Sequence, residues 1–416
     1  MEERYIFKQN GKKAYLPQMY GLKNNTENIF SVPGMNRVGT LQYDNGLTLI
    51  GMSDDHLDYK VVAKDYDDEV YGDFVYSHSP VYSEDEILYC QDYDVHKINI
   101  NTGKVTSYDL YKTITKEIGI YIHRIQPIGR PDIFLCEFQE YNYNKEIKEG
   151  KLMQFADSAK VFGSLQLGFK YTAYDQPWQY TNGTVFTYDS AANKIVCHNT
   201  ESSPVTHPFA EIFNRNSKDF RKLEEFLIHP NLPFGIVVEI GKDIDLNKIK
   251  DVPVSETRTV LLDSLDAQSR IHALYLLRWD TQDTNKQFVP IFTEPVSVIP
   301  GLHPKTYSDF QWSPDGKWLV FRDETQYTEW EEGTPTAEEN PVFVALPVNE
   351  QNPLLFGEPL YLGKVVRENA TPTSSAWVQK PVSFVVSDGL VLYKWDLDNV
   401  SSAMNVSSPN DVVPVK

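Results

Sequence analysis

At 416 residues, with 41% hydrophobic and 13% aromatic side chains, the chain holds apolar material for two or three ordinary domains, or for one large repeat-built domain. A formal charge of −19 speaks against nucleic acid as a partner, because phosphate binding wants a basic stripe, and would steer basic partners or cations toward the surface, although most acidic proteins have no such special partner. No apolar run approaches the roughly 20 residues of a membrane helix, and Met1-Glu-Glu-Arg-Tyr-Ile-Phe-Lys8 lacks the order of a secretory signal, so the expectation is a cytoplasmic chain without membrane insertion.

From the N-terminus, Tyr5-Ile-Phe and Ala14-Tyr-Leu flank Asn10-Gly-Lys-Lys13, which predicts a β-hairpin around an Asn-Gly turn. A phrase then recurs: an apolar strand, a turn of Asp, Asn, Gly or Pro, and a second, more apolar strand. Its copies are Leu41–Ile50, Pro80–Cys90, Arg124–Cys136, Trp178–Tyr188, Phe226–Glu239, Phe310–Glu324 and Phe384–Tyr393. Anchored at Asn45, Asp85, Pro131, Asn182, Leu232, Asp315 and Asp388, they lie 40, 46, 51, 50, 83 and 73 residues apart. The first four intervals suit a four-stranded propeller blade of about 40–50 residues, and the last two call for insertions, near 242–257 and 325–341.

Each unit has a second hairpin. His96–Tyr108 is a strand, an Asn-Thr-Gly-Lys turn and a strand; Ala273–Trp279 with Phe288–Phe292, and Val342–Leu346 with Pro359–Leu362, repeat the pattern. Helical signal is sparse, limited to Ser217–Glu225, with its N-cap serine, and to Lys151–Phe162. Residues 1–400 therefore read as a single domain, and residues 401–416 as a polar tail without structure.

The sixth copy is the strongest. Trp312-Ser-Pro-Asp-Gly-Lys-Trp-Leu-Val-Phe321 resembles the TolB-type, WD-repeat-like β-propeller repeat, in which a Ser-Pro-Asp-Gly-Lys turn precedes an apolar strand. The resemblance implies an all-β propeller of seven four-stranded blades, with N-terminal strands closing the last blade. The other copies lack the full Ser-Pro-Asp-Gly core, and propellers host many functions, so the resemblance assigns no activity.

An acid follows the second strand of every copy: Asp54, Asp92, Glu137, Asp189, Glu239, Asp323 and Asp396. In a propeller these would share one face. Either they receive a basic partner or a cation, or they accept hydrogen bonds that fix neighbouring loops. Trp330, inside the acidic insertion, is a further candidate contact for a partner. Asp65-Tyr-Asp-Asp-Glu-Val-Tyr-Gly-Asp73 clusters carboxylates, but its spacing is not a calcium loop and reads as a solvated segment.

Cys90, Cys136 and Cys197 are odd in number and widely spaced, which fits buried free thiols and neither a disulfide framework nor a zinc knuckle. There is no Gly-x-Ser-x-Gly elbow and no His-x-His or His-Glu-x-x-His pair; His229 and His303, each before a proline, read as turn residues. Gly235–Lys242 has one residue too many for a phosphate loop. No cofactor is implied. The reading is a non-catalytic binding or scaffold propeller, a subunit of a larger assembly among its forms. The alternative is a glycan-active hydrolase or lyase using carboxylates in the channel.

Overall fold

The computed structural model describes most of residues 5–63 and 81–109, then 120–127, 133–140, 146–155, 159–170, 178–181, 184–189, 194–199, 222–240, 273–278, 288–293, 296–297, 307–323, 342–348, 356–363, 373–400 except 399, and 412–414. All regular secondary structure among the described residues is β-strand.

The chain begins with β1 (Tyr5–Gln9), β2 (Lys12–Tyr15) and β3 (Gln18–Thr26). Seven sheets follow in order among the described residues, each built on an antiparallel meander of strands consecutive in sequence. The first holds β4 (Phe30–Ser31), β5 (Arg37–Gln42), β6 (Gly46–Met52) and β7 (Leu57–Ala63). The second holds β8 (Val81–Ser83), β9 (Glu86–Gln91), β10 (Asp94–Asn99) and β11 (Val105–Asp109). In the third are β12 (Ile120–Pro127), β13 (Ile133–Glu140), β14 (Glu146–Phe155) and β15 (Ala159–Lys170). The fourth comprises β16 (Trp178–Thr181), β17 (Thr184–Asp189) and β18 (Lys194–Asn199).

The fifth sheet contains β19 (Lys222–Ile228), β20 (Phe234–Ile240), β21 (Ala273–Arg278), β22 (Phe288–Thr293) and β23 (Val296–Ser297). The sixth is built on β24 (Tyr307–Trp312), β25 (Trp318–Asp323), β26 (Val342–Pro347) and β27 (Leu360–Leu362). The seventh has β28 (Ser374–Gln379), β29 (Val382–Ser387) and β30 (Gly389–Asp396). Near the C-terminus lies β31 (Val412–Pro414).

Consecutive sheets pack face to face. Leu47 and Leu49 of the first meet Ile87 and Ile98 of the second. Strand β9 touches β12, β15 touches β17, and β16 touches β19, where the Phe186 and Phe226 rings lie 6.1 Å apart. Phe234, Ile236 and Leu274 of the fifth sheet pack on Phe310, Leu319 and Phe321 of the sixth. Trp318, Val320 and Phe343 of the sixth pack on Trp377, Phe384 and Trp395 of the seventh. The seventh then meets the first, with Ala376, Val378 and Val385 against Val38 and Ile50. Because sheets lie on both its faces, β29 is buried at every position, where a sheet with one wet face would alternate.

The N-terminal segment is divided between two sheets. Strand β3 pairs antiparallel with β30 and supplies the outer strand of the seventh sheet. The hairpin β1–β2 forms where the sequence predicts it, with Gln9 opposite Lys12, while residues 10–11 lie outside the described residues. It does not close the last sheet, however: β2 pairs in parallel with β27 and extends the sixth. Strand β31 pairs with β1, so the C-terminal tail is not wholly unstructured. This division covers the outer edges of both sheets.

Two helical expectations fail. Lys151–Phe162 falls on β14 and β15, and Lys222–Glu225 opens β19, while 217–221 lie outside the described residues. Both runs are short, and strand partners on offer override weak local helical preference. The phrase also changes place in the meander. Copies two to six join first to second strands, but Asn45 sits between β5 and β6, and Asp388 between β29 and β30, which are second and third strands. Every tight turn between apolar strands recruits the same residues, so the turn alone does not say which turn of the meander it is.

Trp395 is fully buried, and its Nε1 donates to the Tyr15 carbonyl at 2.9 Å, joining the seventh sheet to the N-terminal segment. Trp395→Ala should lower stability by about 3–5 kcal/mol, and Trp395→Phe by less, read from chemical denaturation.

Candidate functional site

At one end of the sheets, the turns between first and second strands interlock. In the Ser313–Lys317 turn, Ser313 Oγ donates to Asp315 Oδ1 at 2.6 Å and accepts from the Trp318 amide at 3.0 Å. Asp315 Oδ1 also accepts from the Lys317 amide at 3.1 Å. Gly316 takes φ 75°, which a side chain resists. Across the seam, His229 is buried between Phe234 and Trp312, with ring centroids 4.5 and 4.8 Å away. Its Nδ1 accepts from the amides of Asn231 and Leu232 at 3.1 and 2.9 Å, so the ring proton sits on Nε2 and goes to the Gly316 carbonyl, 2.9 Å away. Asn231 Nδ2 donates to the Asp315 carbonyl at 3.1 Å. A Cβ on residue 316 would overlap the His229 ring, so glycine is required twice over.

At the opposite end, Asp323 closes β25 and is buried. Its register partners are Tyr307 and Val342. Burial first, then the Asp323 charge and Tyr361, push the Tyr307 phenol far above its ordinary range. Burial and Asp323 together push Tyr361 up to about 12. This end is a dry carboxylate–phenol cluster.

Between the ends run the first strands, which lie against one another: β16 touches β19, β19 touches β24, and β28 touches β4. Gln311 Nε2 donates to Ser375 Oγ at 2.5 Å, linking β24 to β28, and the Trp377 amide donates to Ser31 Oγ at 2.8 Å, linking β28 to β4. Four first strands slip register against their second strands. The bulges fall at Tyr82 in β8, His123 in β12, Glu224 in β19 and Asp309-Phe310 in β24. A bulge bends its strand and re-aims a side chain. Asp309 takes φ 53°, in the left-handed region that aspartate tolerates better than most residues. Its carboxylate is 45% exposed and 3.3 Å from Arg322 Nε.

The acids named from sequence do not form one described ring. Asp323 ends a second strand, as expected. Asp396 ends β30, a third strand, so it lies at the other end of the meander, where its Oδ1 takes the Ser383 hydroxyl at 2.6 Å and Lys394 Nζ at 3.2 Å. In the seventh sheet Asp388 follows the second strand, and it accepts from the Leu390 and Val391 amides and from the Tyr393 hydroxyl. Glu137, Asp189 and Glu239 lie in second strands β13, β17 and β20. Asp54, Asp92, Trp330, His303 and Asp65–Asp73 lie outside the described residues. Cys136 is a buried free thiol. No group of three or more metal-ligating side chains occurs among the described residues. Sequence reasoning missed the bulges, although ionisable residues interrupting apolar first strands, as in Leu223-Glu-Glu-Phe226 and Tyr307-Ser-Asp-Phe310, were a usable signal.

No family model matches the chain, and no curated protein matches it. Among solved structures it is similar to the β-propeller domain of Cps50 (Swd1) from Myceliophteria thermophila, with a TM-score of 0.45 and 7% identity over 90% of this chain and 97% of that one.

His229→Ala leaves the Gly316 carbonyl and two amides without their partner and opens a cavity, so it should cost about 2–4 kcal/mol in thermal or denaturant unfolding, with His229→Gln recovering part. Tyr361 supplies a pH test. Its folded value lies above the ordinary 10.0, so the folded state favours the neutral phenol. The stability it contributes is intact below pH 10.0 and is lost as pH rises to about 12. Tyrosinate absorbance, taken as the difference between wild type and Tyr361→Phe, should show a late titration that Asp323→Asn moves to lower pH but not below the ordinary value.

Proposed function

We propose that the chain is a single-domain, seven-bladed propeller of TolB type that works without catalysis, as a scaffold for a basic protein partner. The support for the ring is that each sheet packs on the next, the seventh packs on the first, and first strands lie against first strands. Strand β3 then serves as the closing outer strand of the last blade. Insertions at 242–257 and 325–341, the latter with Trp330, extend the binding surface. A cytoplasmic setting accords with the free Cys136 thiol; no described helix is long and apolar enough to cross a membrane.

The observation that carries the binding reading is the bulged first strand. Asp309 is held at a strained dihedral, exposed, at the second-strand end of its sheet, and Glu224 and His123 occupy bulges of the fifth and third sheets. Strain of this kind is retained where the surrounding structure and a function require it. Asp189 and Glu239 lie at the same end of their second strands, Glu137 stands mid-strand in β13, and all three add to the negative charge. A chain of −19 charge steers a cationic partner to such an end.

Capture from the native host at low and high salt tests this, comparing wild type with Asp309→Asn and identifying bound proteins by mass spectrometry. A protein partner released by salt, and held about tenfold more weakly by the variant, is the expected outcome. A partner retained equally by both chains would place the binding surface elsewhere.

A further inference from the structure

The seam between the seventh and first sheets contains a polar pair that its apolar surroundings do not explain. Thr40 on β5 and Thr48 on β6 are register partners, 1% and 4% exposed, and neither hydroxyl has a hydrogen-bond partner. Side chains alternate along a strand, so Thr40 shares its face with Val38, and Thr48 shares its face with Ile50. That is the face packed against Ala376, Val378, Val385 and Leu392 of the seventh sheet. Directly opposed residues of an antiparallel pair are close neighbours, so the two threonine side chains lie side by side on that face. The register also slips beside them, between Leu47 and Thr48 on β6 and their β7 partners, which loosens the sheet at that level.

We infer that the space beside these two side chains is a binding site for one buried water molecule, which bridges the Thr40 and Thr48 hydroxyls inside the seam that joins the chain's last sheet to its first. A hydroxyl both donates and accepts, so a single water satisfies both side chains. Two polar partners meet the lower bound for a retained internal water, whereas a purely apolar void stays dry. Valine at either position would fill the seam equally well, and with greater hydrophobic gain, unless something polar is held there.

The test is a double-mutant cycle with Thr40→Val and Thr48→Val, which preserve side-chain shape, read as folding equilibrium constants from denaturant titration. With a bridging water, each single variant strands the water and the remaining hydroxyl, so each should lower the folding constant about fivefold. The double variant expels the water and should return to within about twofold of wild type, a strong non-additivity. A crystal structure of the wild type should show solvent density between the two hydroxyls, absent from the double variant. Single variants that raise the folding constant, with effects that multiply in the double, would overturn the inference. Single variants that leave it unchanged would overturn it too.

Discussion

The seventh sheet owes its burial to two neighbours: β29 is buried at every position because one of its faces meets the sixth sheet and the other the first. Trp377, Phe384 and Trp395 of the seventh sheet pack on Trp318 and Phe343 of the sixth, while Val378 and Val385 face the first. Neighbouring positions of one strand therefore serve different seams. Burial of large side chains supplies the driving force at roughly 1.5–3 kcal/mol each, and the strand ladders satisfy the backbone that burial would otherwise strand. The unit of stability at these positions is the seam, which explains why weakly related turns are tolerated so long as inner strands such as β25 and β29 stay apolar on both faces.

Seams need registration along their length as well as adhesion. Apolar contacts are non-directional and permit one sheet to slide on the next. The His229 link between two turns removes that freedom, since the ring meets the Gly316 carbonyl and two amides in fixed directions. Trp395 does the same at the outer side of the seventh sheet by reaching the Tyr15 carbonyl. The N-terminal segment, shared between sixth and seventh sheets through β2 and β3, ties these two sheets in a way that packing alone cannot.

Much of this was legible in the residues. The Asn-Gly hairpin, the Ser313–Lys317 turn and the strand pairs at Val342–Pro347 and Leu360–Leu362 all sit where alternation and turn chemistry place them. What was not legible is what depends on partners distant in sequence. Lys151–Phe162 has a pattern that suits a helix or two strands, and only neighbouring strands decide. Asp388-Gly389 and Asp315-Gly316 look alike, yet occupy different turns of their meanders, so the Asp396 and Asp323 positions that followed from them lie at opposite ends. His229 was visible as a turn residue, but its acceptor lies 87 residues away.

The polar groups at the two ends of the sheets are held in different ways. Ser313, Asp315 and His229 spend their polar atoms on one another, and a change there is felt as lost stability. Asp388 is spent likewise on two amides and a phenol. Asp309 differs: it sits on a bulge, at a costly dihedral, with nearly half its side chain in solvent and its Arg322 partner held at one side. A half-exposed aspartate on a mostly buried arginine gains more than a fully exposed pair, which offsets part of the cost of the dihedral. The first-strand bulges, and not the turn that stands out most in the sequence, are where the backbone departs furthest from a regular ladder.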